Sequence, residues 1–178
     1  AIFVCVLRII FYWNKSNKKN NTDSLTGCNS RLAIHNQLEH LNNQRNHNVA
    51  IIYFDLNRFK EVNDTLGHTG GDYCLMLLTQ ELISTMGEKA VISRYGGDEF
   101  IIMMIGVSAE DADRRLEKLV KSMDVELNYE GKIRHISISV GAVYTAKLES
   151  YDEIFRQADK VLYQTKEAGK NGYKLVRG

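Results

Sequence analysis

The order of apolar patterns along this chain predicts an α/β sandwich, a mixed central sheet with helices packed against it, and three observations carry that expectation. Stretches of strand character alternate with stretches of helical spacing. Two glycine-bearing turns, Gly96-Gly97 and Glu130-Gly131, each separate a pair of β-rich runs, so two strand pairs are hairpins and the sheet cannot be wholly parallel. With 178 residues, 44% of them hydrophobic, the chain can bury one well-packed core and gives little reason to expect a second.

The elements follow in order. Residues 1–13 are apolar except for Arg8 and end in Tyr12 and Trp13, with Lys15, Lys18 and Lys19 beyond them. An aromatic and then basic flank of this kind marks the cytoplasmic end of a membrane helix. The run falls short of the roughly 20 residues that span a bilayer, and the chain begins with Ala, so a longer anchor is expected upstream. A connecting helix is the bland alternative. A polar linker places a boundary near residue 20, with one domain over residues 21–178. Ile34, Leu38 and Leu41 predict a helix over residues 30–44. Val49 to Phe54 reads as a buried strand that ends at Asp55. Leu75, Leu78, Leu82 and Met86 mark a helix from near Gly71 to Gly87. Strands are expected over 90–95 and 99–105, joined at Gly96-Gly97, where glycine supplies the positive φ of a tight turn. Capping boxes at Ser108 and Ser150 open two further helices, the second buried along Ile154, Ala158, Val161, Leu162 and Thr165. Strands over 125–129, 133–144 and 173–176 complete a ferredoxin-like βαββαβ order.

Composition excludes several classes. Lys and Arg total 23 against 22 Asp and Glu, so no global basic field exists for a nucleic-acid partner. Cys5, Cys28 and Cys74 are odd in number and scattered, which argues against a disulfide framework or a zinc site and favours a reducing setting. The histidines lack metal-ligand spacing.

A strand ending in Asp55 and a hairpin presenting Asp98 and Glu99 bring carboxylates together if the two strands are neighbours. Their repulsion calls for a cation, and oxygen ligands suit Mg²⁺, which takes one or two carboxylates and leaves substrate phosphates to complete its shell. Gly96 and Gly97 leave room for a triphosphate to approach the backbone. The polar stretch between Asp55 and Asp72 is richer in functional groups than a minimal connection needs. Singly, each signal is bland: a Gly-Gly pair is usually only a turn, Asp55 could cap one, and Lys166 and Lys170 could be a solvated helix end.

Taken together, Asp23-Ser24-Leu25-Thr26-Gly27, the Asp55 to Asp72 segment, Arg94-Tyr95-Gly96-Gly97-Asp98-Glu99-Phe100, and Ala158 to Tyr163 with Lys166 and Lys170 resemble the GGDEF family of diguanylate cyclases, over about residues 21–178. The resemblance implies the fold of nucleotidyl cyclases and the joining of two GTP into cyclic di-GMP with release of two pyrophosphates. It implies Mg²⁺, or Mn²⁺ in its place, on Asp55, the Leu56 carbonyl, Asp98 and Glu99. Asp98 is then the proton acceptor, Glu99 an aid to activation, and Lys60 a transition-state cation. Asn63 and Asp72 read guanine with His68 beside them, and Lys166 and Lys170 hold the triphosphate. A homodimer is required, under an upstream sensory or membrane region, with the domain in the cytoplasm of a bacterial cell.

Four positions depart from the family pattern: Asn57 for Asp, Ser30 for Asn, Thr165 for Ala and Lys170 for Arg. The last keeps charge but loses the bidentate fork. Residues 87–90, Gly-Glu-Lys-Ala, lack the arginine and aspartate of the family's product-inhibition motif, so feedback inhibition there is not expected. The rival reading is a catalytically silent GTP-binding module. A mixed adenine-guanine product is disfavoured by Asp72, whose carboxylate suits the donors of guanine.

Overall fold

The computed structural model describes residues 21–42, 48–146 and 151–178. The elements are β1 (Asn29–Ser30), α1 (Arg31–Asn42), β2 (Val49–Leu56), α2 (Phe59–Met86), β3 (Val91–Gly96), β4 (Glu99–Ile105), α3 (Ala109–Ser122), β5 (Val125–Tyr129), β6 (Lys132–Ile136), β7 (Ile138–Thr145), α4 (Tyr151–Glu167) and β8 (Gly172–Arg177). The main sheet runs β1-β3-β4-β2-β7-β8, and β5-β6 form a separate pair. Its four central strands are antiparallel, in the expected ferredoxin-like order, and β1 and β8 join the edges in parallel.

β2 explains why its sequence is apolar without alternation: both of its faces are covered. Ala50, Ile52, Phe54 and Leu56 point into a core roofed by α2 and α3, and Val49, Ile51 and Tyr53 into a second roofed by α1 and α4. Asp55 shares the second face, by the period of two. α4 lies directly on β7, because a Cβ on Gly141 would come within 2.0 Å of the Leu162 nitrogen. That closeness brings the last turn of α4 to the end of β2.

Three features differ from the sequence expectation. α2 begins at Phe59 rather than near Gly71, and breaks at Gly67, where φ is 77° and ψ 168°. The run expected as one strand over 133–144 is split at Ser137 into β6 and β7, which belong to different sheets. Asn57 binds at the split: its backbone N–H donates to the Ser137 carbonyl and its Nδ2 to Ser137 Oγ at 3.0 Å, while Ser139 Oγ donates to Asn57 Oδ1 at 2.7 Å. The third is β1, two residues long and too short to carry a pattern. The apolar run 1–13 and the Ser150 cap lie outside the described residues, and among those described no helix is long and apolar enough to cross a membrane.

Candidate active site

Asp55 stands last but one on β2, opposite Glu99 on β4 and Ser139 on β7. The strand pairing therefore makes neighbours of the two acids. Asp98 sits in the turn before β4. Burial raises the proton affinity of Asp55; the Lys166 ammonium opposes this, and the charges of Asp98 and Glu99 add to it. Burial likewise pushes Asp98 above the usual carboxylate range, against the pull of its own backbone N–H, Lys166 and Arg94.

Lys166, in the last turn of α4, ion-pairs with Asp55 Oδ2. The cation expected to meet phosphate and the carboxylate expected to meet metal thus share one site. Asp55 Oδ1 is buried with no hydrogen-bond partner among the described residues. Leaving a buried carboxylate oxygen unsatisfied is costly, and a divalent cation would satisfy it while offsetting the repulsion between the acids. The donor set therefore fits Mg²⁺. Among the described residues no three His, Cys, Asp or Glu side chains form a metal-binding group by themselves. Leu56 has its side chain in the core, so only its backbone can serve as a ligand.

The hairpin is held from below. Arg94 Nε donates to the Gly97 carbonyl at 2.9 Å, and its Nη1 donates to Asp23 Oδ1 at 3.1 Å. Asp23 also accepts from the Thr26 amide and hydroxyl. Sequence reading quoted Asp23 and Arg94 within motifs but gave them no role. Tyr53 was missed altogether, although a phenol inside the apolar run Val49 to Phe54 was a signal. Burial first, then the charge of the neighbouring Glu99, holds its phenol well above the usual range.

The second half of the site lies along α2. Asn63 precedes the Gly67 break and His68 and Asp72 follow it, yet Asn63 is brought against the later segment. A Cβ on Gly71 would lie 1.9 Å from Asn63 Oδ1, so glycine there lets Asn63 rest beside the residue preceding Asp72. His68, Asp72 and Lys60 are exposed. Lys170, also exposed, has φ 62° in the turn after α4, and its backbone N–H donates to the Thr165 carbonyl. Of the expected residues, the structure brings Asp55, Asp98, Glu99 and Lys166 together, and separately Asn63 and Gly71-Asp72. No recorded side-chain contact links Lys60, His68 or Lys170 to either group.

The fold and this acidic strand end define an α+β domain of the nucleotidyl-cyclase kind. The family described as diguanylate cyclase, GGDEF domain, matches residues 20–172, and the chain belongs to it. It is 35% identical over 147 residues to diguanylate cyclase A of Treponema denticola, covering 79% of this chain and 40% of that protein. It is 33% identical over 156 residues to diguanylate cyclase DgcZ of Escherichia coli, covering 86% and 52%. Cyclic di-GMP phosphodiesterase PdeR of the same organism is 31% identical over 156 residues, covering 86% of this chain and 23% of that protein. The chain thus spans between 23% and 52% of these relatives' lengths. Among solved structures, the coiled coil and GGDEF domain of DgcB from Caulobacter crescentus, in complex with c-di-GMP, superposes with a TM-score of 0.89 at 23% identity, over 98% of this chain and 95% of that one.

Proposed function

We propose that this chain is a diguanylate cyclase domain that condenses two GTP into cyclic di-GMP. The observation that carries the reading is the meeting of Asp55, Asp98, Glu99 and Lys166 at the end of β2, beside an intact Gly96 to Phe100 hairpin, with one oxygen of Asp55 left without a partner. Mg²⁺ held by Asp55, Asp98, Glu99 and the Leu56 carbonyl would supply positive charge to the triphosphate.

The remaining chemistry belongs to the side chains. The 3′-oxygen of one GTP bonds to the α-phosphorus of the other, the bond from that phosphorus to pyrophosphate breaks, and the hydroxyl proton passes to Asp98. The same step in the opposite sense closes the ring. A carboxylate whose proton affinity is raised by burial is a better acceptor than a solvated one. Lys166 and Lys170 bind the departing phosphates, and Lys60 opposes charge on the transferring group. Asn63 and Asp72 hold guanine, with His68 at its side. Each domain supplies one GTP, so two domains must face one another. Residues 1–20 belong to an upstream anchor or sensor, with residues 21–178 forming the domain in the cytoplasm.

A second reading is a silent GTP-binding module, favoured by the match to a relative named as a phosphodiesterase. Incubation of the purified chain at high concentration with GTP and Mg²⁺, beside Asp98→Ala, separates the two. Cyclic di-GMP identified by mass from the parent, and at least a hundredfold less from Asp98→Ala, is the expected result, in line with the roughly 10²–10⁴-fold contribution of a general base. Bound GTP and a dimer without product would establish the silent module.

A further inference from the structure

We infer that Tyr53 is a positioning residue for Glu99, a role that rests on the cyclase reading above. Five observations lead there. Tyr53 is only 8% exposed and is the one polar-tipped side chain that β2 contributes to either core before Asp55. It stands two residues before Asp55 on the same face, and Asp55 is opposite Glu99, so Tyr53 and Glu99 are diagonal neighbours across the β2–β4 ladder. Its phenol lies within electrostatic reach of the Glu99 carboxylate. A carboxylate only accepts, so of this pair the phenol is the group able to donate. The ring itself is fixed by Ile51, Ile101 and neighbouring core residues and by an edge-on contact with Tyr95, 5.9 Å between centroids at 73°.

A phenylalanine would fill the same volume with no unpaired group. Buried phenols persist where the hydroxyl can find a partner, and the register puts an acid of the candidate site within its reach. Glu99 begins β4 directly after the Gly97-Asp98 turn, and a rigid phenol beside it restricts which way its carboxylate points. Tyr95, which forms the wall behind the phenol, immediately precedes Gly96. The tyrosine pair therefore supports the hairpin from the α1/α4 side, as Arg94 does through Gly97.

The test is Tyr53→Phe in the full chain, with Glu99→Gln and the double variant. In parent protein carrying ¹³Cζ-labelled tyrosine, Glu99→Gln must move the Tyr53 resonance. In cyclase assays, Tyr53→Phe lowers kcat about tenfold, which corresponds to about 1.4 kcal/mol. It changes the KM for GTP less than twofold and keeps the parent's circular dichroism. In the Glu99→Gln background the same substitution has no further effect on Mn²⁺ affinity measured with a non-reactive GTP analogue. A resonance that stays put, an unchanged kcat, or an equal effect in both backgrounds overturns the inference. If the parent makes no product, the cyclase reading falls by itself. The resonance and the Mn²⁺ cycle then decide the role of Tyr53 alone.

Discussion

Arg94 donates from Nε to the Gly97 carbonyl and from Nη1 to Asp23, so one side chain joins the hairpin of the candidate site to the turn through which the chain enters the domain. Both partners of the ion pair are shielded, at 16% and 23% side-chain exposure. Burial alone would raise the proton affinity of Asp23; the Thr26 hydroxyl and amide and the Arg94 guanidinium outweigh it and leave the carboxyl below its ordinary value of 3.8. The sign follows directly. A carboxylate with a lowered folded-state pKa stabilises the fold above its unfolded pKa, and that contribution is lost as the pH falls through the folded value. Asp23→Ala is expected to cost about 1–3 kcal/mol at pH 7, the scale of hydrogen bonds to a charged group. The gap in urea midpoint between parent and variant narrows as the pH is taken below 3.8. A gap that stays constant to pH 2 would show that Asp23 contributes through packing rather than charge.

At the scale of elements, α2 carries the proposed guanine contacts Asn63, His68 and Asp72. Its Gly67 break lets Phe59–Leu66 and the segment after it meet, and Gly71 leaves the space that Asn63 occupies. Gly71→Ala is therefore expected to weaken GTP binding about tenfold, about 1.4 kcal/mol, with Asp98-dependent chemistry on bound substrate retained. Calorimetric titration with a non-reactive GTP analogue checks it, and unchanged affinity would remove Asn63 from the guanine contact. Much of this was legible in sequence and some was not. β2 and the β3–β4 hairpin were readable because a fully covered strand and a two-glycine turn leave local signatures. The first part of α2 was obscured: Phe59, Val62 and Leu66 have helical spacing, but the polar residues between them made the segment read as a connection. The break at Ser137 had no local signature, since the residue bonded to it, Asn57, lies 80 positions away. The departure at Asn57 thus has a structural use, and so has Thr165, whose hydroxyl is within 3.1 Å of the Val140 carbonyl and 3.0 Å of Val161.

For the whole molecule, the candidate site presents one set of carboxylates and one proposed guanine contact, and a ring with two phosphodiester links needs two such sets. Specific activity is accordingly expected to rise with protein concentration until dimers saturate, as read by initial rates against sedimentation. A specific activity independent of concentration in a monomeric range would overturn the facing-domain arrangement. Product should leave the rate unchanged through the 87–90 turn. Gly87 there has φ 80°, and the Arg115 guanidinium lies 3.0 Å from where its Cβ would be while donating to the Met86 carbonyl. A bulky cationic side chain at that position would meet both a strained backbone and a like charge. Tight noncompetitive inhibition by cyclic di-GMP, relieved by substitutions within 87–90, would overturn this expectation.

β1 is held by two register pairs with β3, a bridge from Thr22 to Asn29, the Asn29 side-chain amide donating to the Ile92 carbonyl, the Ser30 N–H donating to the Asn21 carbonyl, and the Asp23–Arg94 pair. Considered as a mechanical component, this is the thinnest joint of the sheet. Tension entering at residue 21 is borne there first, while the long ladders of β2 with β4 and β7 carry little of it. Arg94 is common to that joint and to Gly97, so a load that parts Asp23 from Arg94 removes one of the two anchors of the side chain that braces the hairpin. A pull on the incoming chain would then reach the hairpin through a single side chain, ahead of the long ladders.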